Sequence, residues 1–177
     1  MEPTGDSPEQ AAPIPSQRPL LNGGDEPRVV LAAVDTSPAA QRVIAMAARF
    51  CRAFPESSLH VLHVLRFSRL DRAQAAHAGA PGMSSEAVDD AKDHLEFHKR
   101  LAARQCRNPV TGHFAAGNPT TEILRYCVEL KVDLLVIATH DHSGFERLLL
   151  GSIAETLVRK APCTVTVVRQ AIHGSGG

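Results

Sequence analysis

The chain has 177 residues, of which 44% are apolar, and its 19 basic residues balance its 19 acidic residues. This length predicts one globular domain with a full core, and the balanced charge argues against a nucleic-acid or anionic-membrane surface. No apolar run reaches the length of a membrane span, so we expect no membrane partner. Because the charges balance, we also expect no nucleic-acid partner. The N-terminal stretch lacks the apolar segment of a signal peptide, which predicts a cytoplasmic protein.

The two ends of the chain differ in composition from the middle. Residues 1–27 are rich in proline and hold little that could be buried, so we expect a disordered tail. Residues 171–177 are rich in glycine, and we expect them to be flexible. The folded domain is therefore predicted over residues 28–170. Its four cysteines are far apart and form no Cys-x-x-Cys pair, which predicts buried, reduced thiols.

The predicted domain alternates between short apolar runs and segments with helical periodicity. The runs predict five buried strands: Arg28–Val34, Ser58–Leu65, Pro109–Gly117, Val132–Ala138 and Cys163–Arg169. Of the four predicted helices, the third should bury Val128 and the fourth Val158. We expect Ser37 to cap the first helix and Asn118 to start the third. A capping box of Ser152 and Glu155 should open the fourth helix.

Five strands alternating with four helices predict an α/β fold, with a parallel sheet that has helices on both faces. Such sheets bind ligands at the carboxyl ends of the strands, where the strand order reverses. If the order is 3-2-1-4-5, this crevice lies between the first and fourth strands. Val34 and Asp35 would line one side of it, and residues 139–143 the other.

The segment "VIATHDHSGFERLLLGSIAE" runs from the fourth strand into the fourth helix, as a phosphate-binding loop does. Gly151 and Ser152 stand where the helix begins, and they could hold an anion with backbone N–H groups. The turn before them, however, contains His140, Asp141 and His142 where such loops usually have glycine. The segment therefore has the second half of a phosphate site and a changed first half.

From about Arg28 to Arg169 the sequence resembles the universal stress protein family. Six motifs carry the resemblance, in the family's order: "VDTS", "LHVLHV", "GNPTTEIL", "DLLVIATH", "LLLGSIAE" and "APCTVTVVR". The resemblance implies an adenine-nucleotide alpha-hydrolase-like, Rossmann-like fold. It also implies a homodimer formed through the last strand, Thr164–Arg169, and a role in stress survival without substantial catalysis. Asp35 would lie near the ribose of a bound nucleotide, and the backbone of Val64 near the adenine.

Family members that bind ATP carry a loop of Gly, two residues, Gly, nine residues, Gly, and Ser or Thr. These four positions fall on Ala138, Asp141, Gly151 and Ser152. Ala138 adds one methyl group, which a strand end can accept. Asp141 adds bulk and negative charge where the backbone would approach the phosphates. The resemblance therefore implies an ATP site, with Mg²⁺ if ATP is bound, whose affinity is weakened.

Two other classes of function stay open at this point. The protein could be a dimeric interaction module whose pocket is vestigial, or a slow metal-dependent ATPase. In the second case Asp141 would coordinate a divalent ion that the phosphates share. His140 and His142 could instead hold a transition metal with His63 or a symmetry-related chain, or they could be solvated loop histidines.

Overall fold

The computed structural model describes residues 28–66, 85–139 and 151–169. The two predicted tails lie outside these residues, and so do His140, Asp141 and His142. The described strands are β1 (Val29–Val34), β2 (Ser58–Arg66), β3 (Val110–Gly117), β4 (Leu134–Ala138) and β5 (Thr164–Val168). The described helices are α1 (Ala40–Ala53), α2 (Ser85–Gln105), α3 (Pro119–Glu129) and α4 (Ser152–Lys160).

The five strands form one parallel sheet in the order β3-β2-β1-β4-β5, as predicted. β1 lies in the middle, and its residues Val30, Leu31 and Ala32 are completely buried. A strand buried on both faces has no polar face, which explains its continuous apolar run. None of the helices in these described ranges is long and apolar enough to cross a membrane.

Successive side chains of each strand point to opposite faces of the sheet, and a separate core lies on each face. The first core joins the even-numbered residues of β1 to α1 and α2 through residues such as Val43, Ile44 and Leu95. The second core joins Leu31, Leu62 and Leu135 to α3 and α4. The predicted helices on both faces are therefore confirmed.

Two side chains that the helical pattern predicts to be buried are not. Val128 in α3 is 52% exposed and Val158 in α4 is 45% exposed. Each helix is short and buries a narrow stripe, Ile123 and Cys127 in α3 and Ala154 and Leu157 in α4. The next residue along a helix is rotated by about 100°, which carries Val128 and Val158 off that stripe.

Two of the three predicted helix caps are also wrong. Ala39, not Ser37, is the N-cap of α1, and the backbone N–H of Ser37 instead donates to Oδ1 of Asp35 at 2.9 Å. Gly151 is the N-cap of α4, so Ser152 is already helical and its predicted capping box does not form. The third prediction is confirmed, because Oδ1 of Asn118 accepts from the N–H of Thr121 at 3.2 Å.

Candidate functional site

A crevice opens between β1 and β4 at their carboxyl ends. The pairing of β1 with β2 continues to Val34 and His63, and that of β4 with β5 continues to Ala138 and Val168. The pairing of β1 with β4 stops earlier, at Ala32 and Val136. The two central strands therefore separate before they end, where the strand order reverses. This is the position at which open α/β sheets bind ligands.

Asp35 is the first residue after β1, on one wall of this crevice. It is half-buried, and Oδ1 of its carboxylate accepts the backbone N–H of Ser37. An Asp side chain that bonds its own backbone two residues on forms an Asx turn. This turn fixes the direction in which the chain leaves β1 before α1 begins.

The second wall ends in the N-terminus of α4. Gly151 has φ of 71° and ψ of 143°, a backbone conformation that residues with a side chain rarely adopt. The first helical hydrogen bond runs from the N–H of Glu155 to the carbonyl of Gly151 at 2.9 Å. The N–H groups of Ser152, Ile153 and Ala154 therefore lie in the first turn without a partner inside the helix. Such a turn attracts anions through these groups and the helix dipole.

The two remaining predicted residues within the described ranges lie at the same end of the sheet. Val64 follows His63 in β2, and its partly buried side chain packs against the second core. Ala138 ends β4, and its partly buried methyl group packs against the first core. The fold thus brings Asp35, Val64, Ala138 and the start of α4 to one end of the sheet. Asp141 lies outside the described residues.

A histidine cluster beside Asp35 is a feature that the sequence pattern does not reveal. His63 is only 3% exposed, and its Nδ1 has no hydrogen-bond partner among the described residues. Burial lowers the pKa of His63, nearby His94 and His98 lower it further, and Asp35 partly opposes them. The lowered pKa favours the neutral form of the His63 imidazole.

His98 belongs to the same cluster and is 4% exposed. Its Nδ1–H donates to the carbonyl of His94 at 2.8 Å, one helical turn earlier, and burial lowers its pKa. The two rings are stacked with centroids 6.5 Å apart. Their spacing of four residues in α2 is the one signal in the sequence that could have indicated this contact.

A groove of about 690 Å³ lies beside the crevice, between the start of α1 and the first half of α2. Its lining combines hydroxyl, carboxylate, imidazole and aromatic groups: Thr36, Ser37, Pro38, Gln41, Asp90, Asp93, His94, Phe97 and His98. Ser37 Oγ is buried there without a hydrogen-bond partner in the described residues. The lining of the groove begins at Thr36, the residue that follows Asp35.

Within residues 28–66, 85–139 and 151–169, no three His, Cys, Asp or Glu side chains are arranged to hold a metal ion. The proposed metal site at His140 and His142 concerns residues outside these ranges.

Comparison with known proteins identifies the family. The Universal stress protein family model matches residues 27–169. The chain belongs to the universal stress protein family. A universal stress protein of Methanocaldococcus jannaschii is 43% identical over 54 residues, which are 30% of this chain and 32% of that protein. The chain spans less than half the length of the curated relatives it matches.

Solved structures agree on the fold. The hypothetical protein MJ0577 superposes with a TM-score of 0.70 at 20% identity, covering 84% of this chain and 99% of that one. The universal stress protein of Archaeoglobus fulgidus, described in complex with dAMP, gives 0.59 at 21% identity, covering 79% and 95%. The fold is therefore the adenine nucleotide alpha-hydrolase-like fold of this family.

Proposed function

We propose that this universal stress protein binds adenine nucleotides in the crevice between β1 and β4. Asp35, the main chain of Val64, Ala138, Gly151 and Ser152 would form the site, together with Asp141. The protein would act in the cytoplasm by binding and association rather than by catalysis. The observation that carries the proposal is the early separation of β1 from β4 beside an α4 N-terminus whose cap, Gly151, has positive φ.

The chemistry of the two walls fits a nucleoside phosphate. The Asp35 carboxylate on the β1 side suits the hydroxyl groups of a ribose. The N–H groups at the start of α4 suit phosphate oxygens. Because Gly151 has no side chain, a phosphate can approach its backbone closely. A relative of the same fold is described with dAMP, which supports an adenine nucleotide over another anion.

The affinity for ATP should be lower than that of a site with glycine at both changed positions. Asp141 would bring a negative charge toward the phosphates. Two unit charges about 4 Å apart interact by about 1 kcal/mol in water and about 4 kcal/mol at an effective dielectric of 20. The cost corresponds to a loss of affinity of about tenfold to a thousandfold for ATP. AMP carries fewer negative charges on its phosphate than ATP, so its affinity should fall less.

Association would use the edge of β5 that faces away from β4, which is the last strand edge of the sheet in the described residues. Thr164 donates its N–H to the carbonyl of Asp133, and the carbonyl of Val168 accepts from Thr139, both on the β4 side. Because successive residues of a strand face opposite sides, the N–H groups of Val165 and Val167 point to the open edge. A second copy can pair there, through Thr164–Arg169, and form the homodimer that we propose.

Calorimetric titration of the wild type and of Asp141→Gly tests the nucleotide proposal. ATP and AMP are titrated with and without Mg²⁺. We expect AMP to bind both proteins and ATP to bind the Asp141→Gly variant at least about tenfold more tightly. ATP binding to the wild type only with Mg²⁺ would instead make Asp141 a metal ligand and favour an ATPase. Absence of binding in both proteins would leave the interaction module as the function.

A further inference from the structure

Two buried polar atoms without a hydrogen-bond partner lie in the same part of the molecule. Among the described residues, only Ser37 Oγ and His63 Nδ1 are buried side-chain atoms that lack such a partner. Ser37 follows Asp35 by two residues, and His63 pairs with Val34 between β1 and β2. Buried polar groups in folded proteins are nearly always hydrogen-bonded, so an unpartnered one marks a place where water or a ligand binds.

Both residues belong to the side of the sheet that α1 and α2 cover. Leu62 and Val64, the neighbours of His63 in β2, contact the second core, so the His63 side chain points to the opposite face. Ser37 lines the groove between α1 and α2. The volume of this groove, about 690 Å³, is typical of sites for small molecules. The molecule therefore has a groove of ligand size with an unpartnered hydroxyl group in its wall.

The groove carries negative charge. Asp90 and Asp93 line it, one helical turn apart on the same face of α2, and no lysine or arginine is among the described residues of its lining. Lys92 lies outside the lining, since it is rotated by about 100° around the helix from Asp93. None of the ion pairs between described residues involves either carboxylate. The two carboxylates therefore favour a cation from outside this part of the chain.

An aromatic ring lies on the same stripe of α2. Phe97 follows Asp93 by four residues, lines the groove and is 51% exposed. Its ring contacts that of His98, with centroids 5.2 Å apart and planes at 80°. An exposed aromatic ring attracts an ammonium group through its π electrons. Asp90, Asp93 and Phe97 thus present two carboxylates and a ring along about 10 Å of helix.

We propose that the groove between α1 and α2 binds an aliphatic polyamine. One ammonium group would lie at the carboxylates of Asp90 and Asp93, and a second would lie against the ring of Phe97. An N–H group of the ligand would donate to Ser37 Oγ. Because these groups are spread along the helix, a chain with several charges fits them better than a single ammonium ion. The site is separate from the nucleotide proposal and does not depend on it.

An NMR titration of the full chain with spermidine at low ionic strength tests the proposal. We expect saturable shifts at the amides of Ser37 and Gln41 and at the ring of Phe97, which line the groove. The affinity should fall as NaCl is added, because salt screens exposed charges. Butylamine has one ammonium group and should bind about tenfold more weakly, since it loses charged contacts. Equal affinity for butylamine, or no shifts in the groove, would overturn the proposal.

Three variants of α2 sharpen the test. Asp90→Asn and Asp93→Asn should each weaken spermidine binding by about two- to fivefold. Phe97→Leu should weaken it by about two- to fivefold as well. The matched control is Asp89→Asn, which removes the same charge one residue away, outside the lining of the groove. An equal loss of affinity in Asp89→Asn would show a general attraction to the acidic surface of α2 and would overturn the site.

Ser37→Ala separates a role in binding from a role in the fold. The hydroxyl group has no partner to lose among the described residues. Its removal should therefore leave the urea midpoint unchanged or raise it, while spermidine binding weakens by about threefold or more. A lower urea midpoint with unchanged spermidine affinity would show that the hydroxyl group serves the fold, and would overturn its place in the site.

Discussion

The Nδ1 atom of His60 lies 2.8 Å from the Nε2 atom of His113, across the β2–β3 pairing. Ser58 Oγ donates to the carbonyl of Arg28 at 3.3 Å, so it accepts from Nε2 of His60 at 3.2 Å. Nδ1 of His60 is then left to accept from His113, whose ring packs against Tyr126. Only one proton fits between the two nitrogens, so this contact opposes charging both imidazoles together.

This pair and the cluster near the crevice predict that acid destabilises the fold. Burial lowers the pKa of His60, His63, His98 and His113 below their ordinary value of 6.5. A histidine with a lowered pKa in the folded state binds its proton more readily in the unfolded chain. The contribution of such a histidine to the free energy of unfolding is therefore complete above about pH 6.5. It is lost as the pH falls from there toward the folded-state pKa.

Urea denaturation between pH 8 and pH 5 measures this effect. We expect a constant free energy of unfolding down to about pH 6.5 and a steady decrease below it. The double variant His60→Gln, His113→Gln should show a shallower decrease. A free energy of unfolding that rises on acidification would contradict the lowered pKa of these histidines.

Gly151 should not tolerate a side chain, because its φ of 71° and ψ of 143° favour glycine. We expect Gly151→Ala to lose about 1–3 kcal/mol of stability. It should also weaken AMP binding, since the start of α4 would shift. Gly112→Ala is the matched control, because the nearest neighbours of an added Cβ there are the flexible side chain of Lys99 and the side chain of Leu95. Equal effects of the two substitutions on AMP affinity would show that Gly151 has no special role.

The proposed dimer predicts a difference between the two edges of the sheet. Val167→Pro removes an N–H that points away from β4 and should convert the dimer to a monomer. In β3 the odd-numbered residues face β2, as the bond from Leu59 to the carbonyl of Pro109 indicates. Ala116→Pro therefore removes an outward N–H from the opposite edge and should leave the dimer intact. Light scattering after gel filtration gives both masses, and a dimeric Val167→Pro would contradict the β5 interface.

The fold could be predicted from the sequence because its signals are strong and local. Each strand is an apolar run, and parallel strands need helical connections, which leaves few topologies. The errors concern boundaries, where neighbouring residues compete for one role. Asp35 occupies the N–H of Ser37, and the conformation of Gly151 places the cap one residue before Ser152.

The candidate site could be predicted only in part. The rule for parallel sheets places Asp35, Val64, Ala138 and the start of α4 at one end. The cluster of His63 with His94 and His98 joins two elements that are distant in sequence, and only tertiary packing brings them together.

The most direct test of the central claim is an amide NMR titration of the wild-type protein with AMP. We expect shifts to concentrate at Asp35, Val64, Ala138, Gly151 and Ser152. Asp133 and Thr164, at the amino ends of β4 and β5, should stay unchanged and serve as internal controls. Shifts at the carboxyl ends of β1 and β4 would establish the crevice as the nucleotide site. Shifts confined to the amino ends of the strands, or no shifts with saturating AMP, would contradict it.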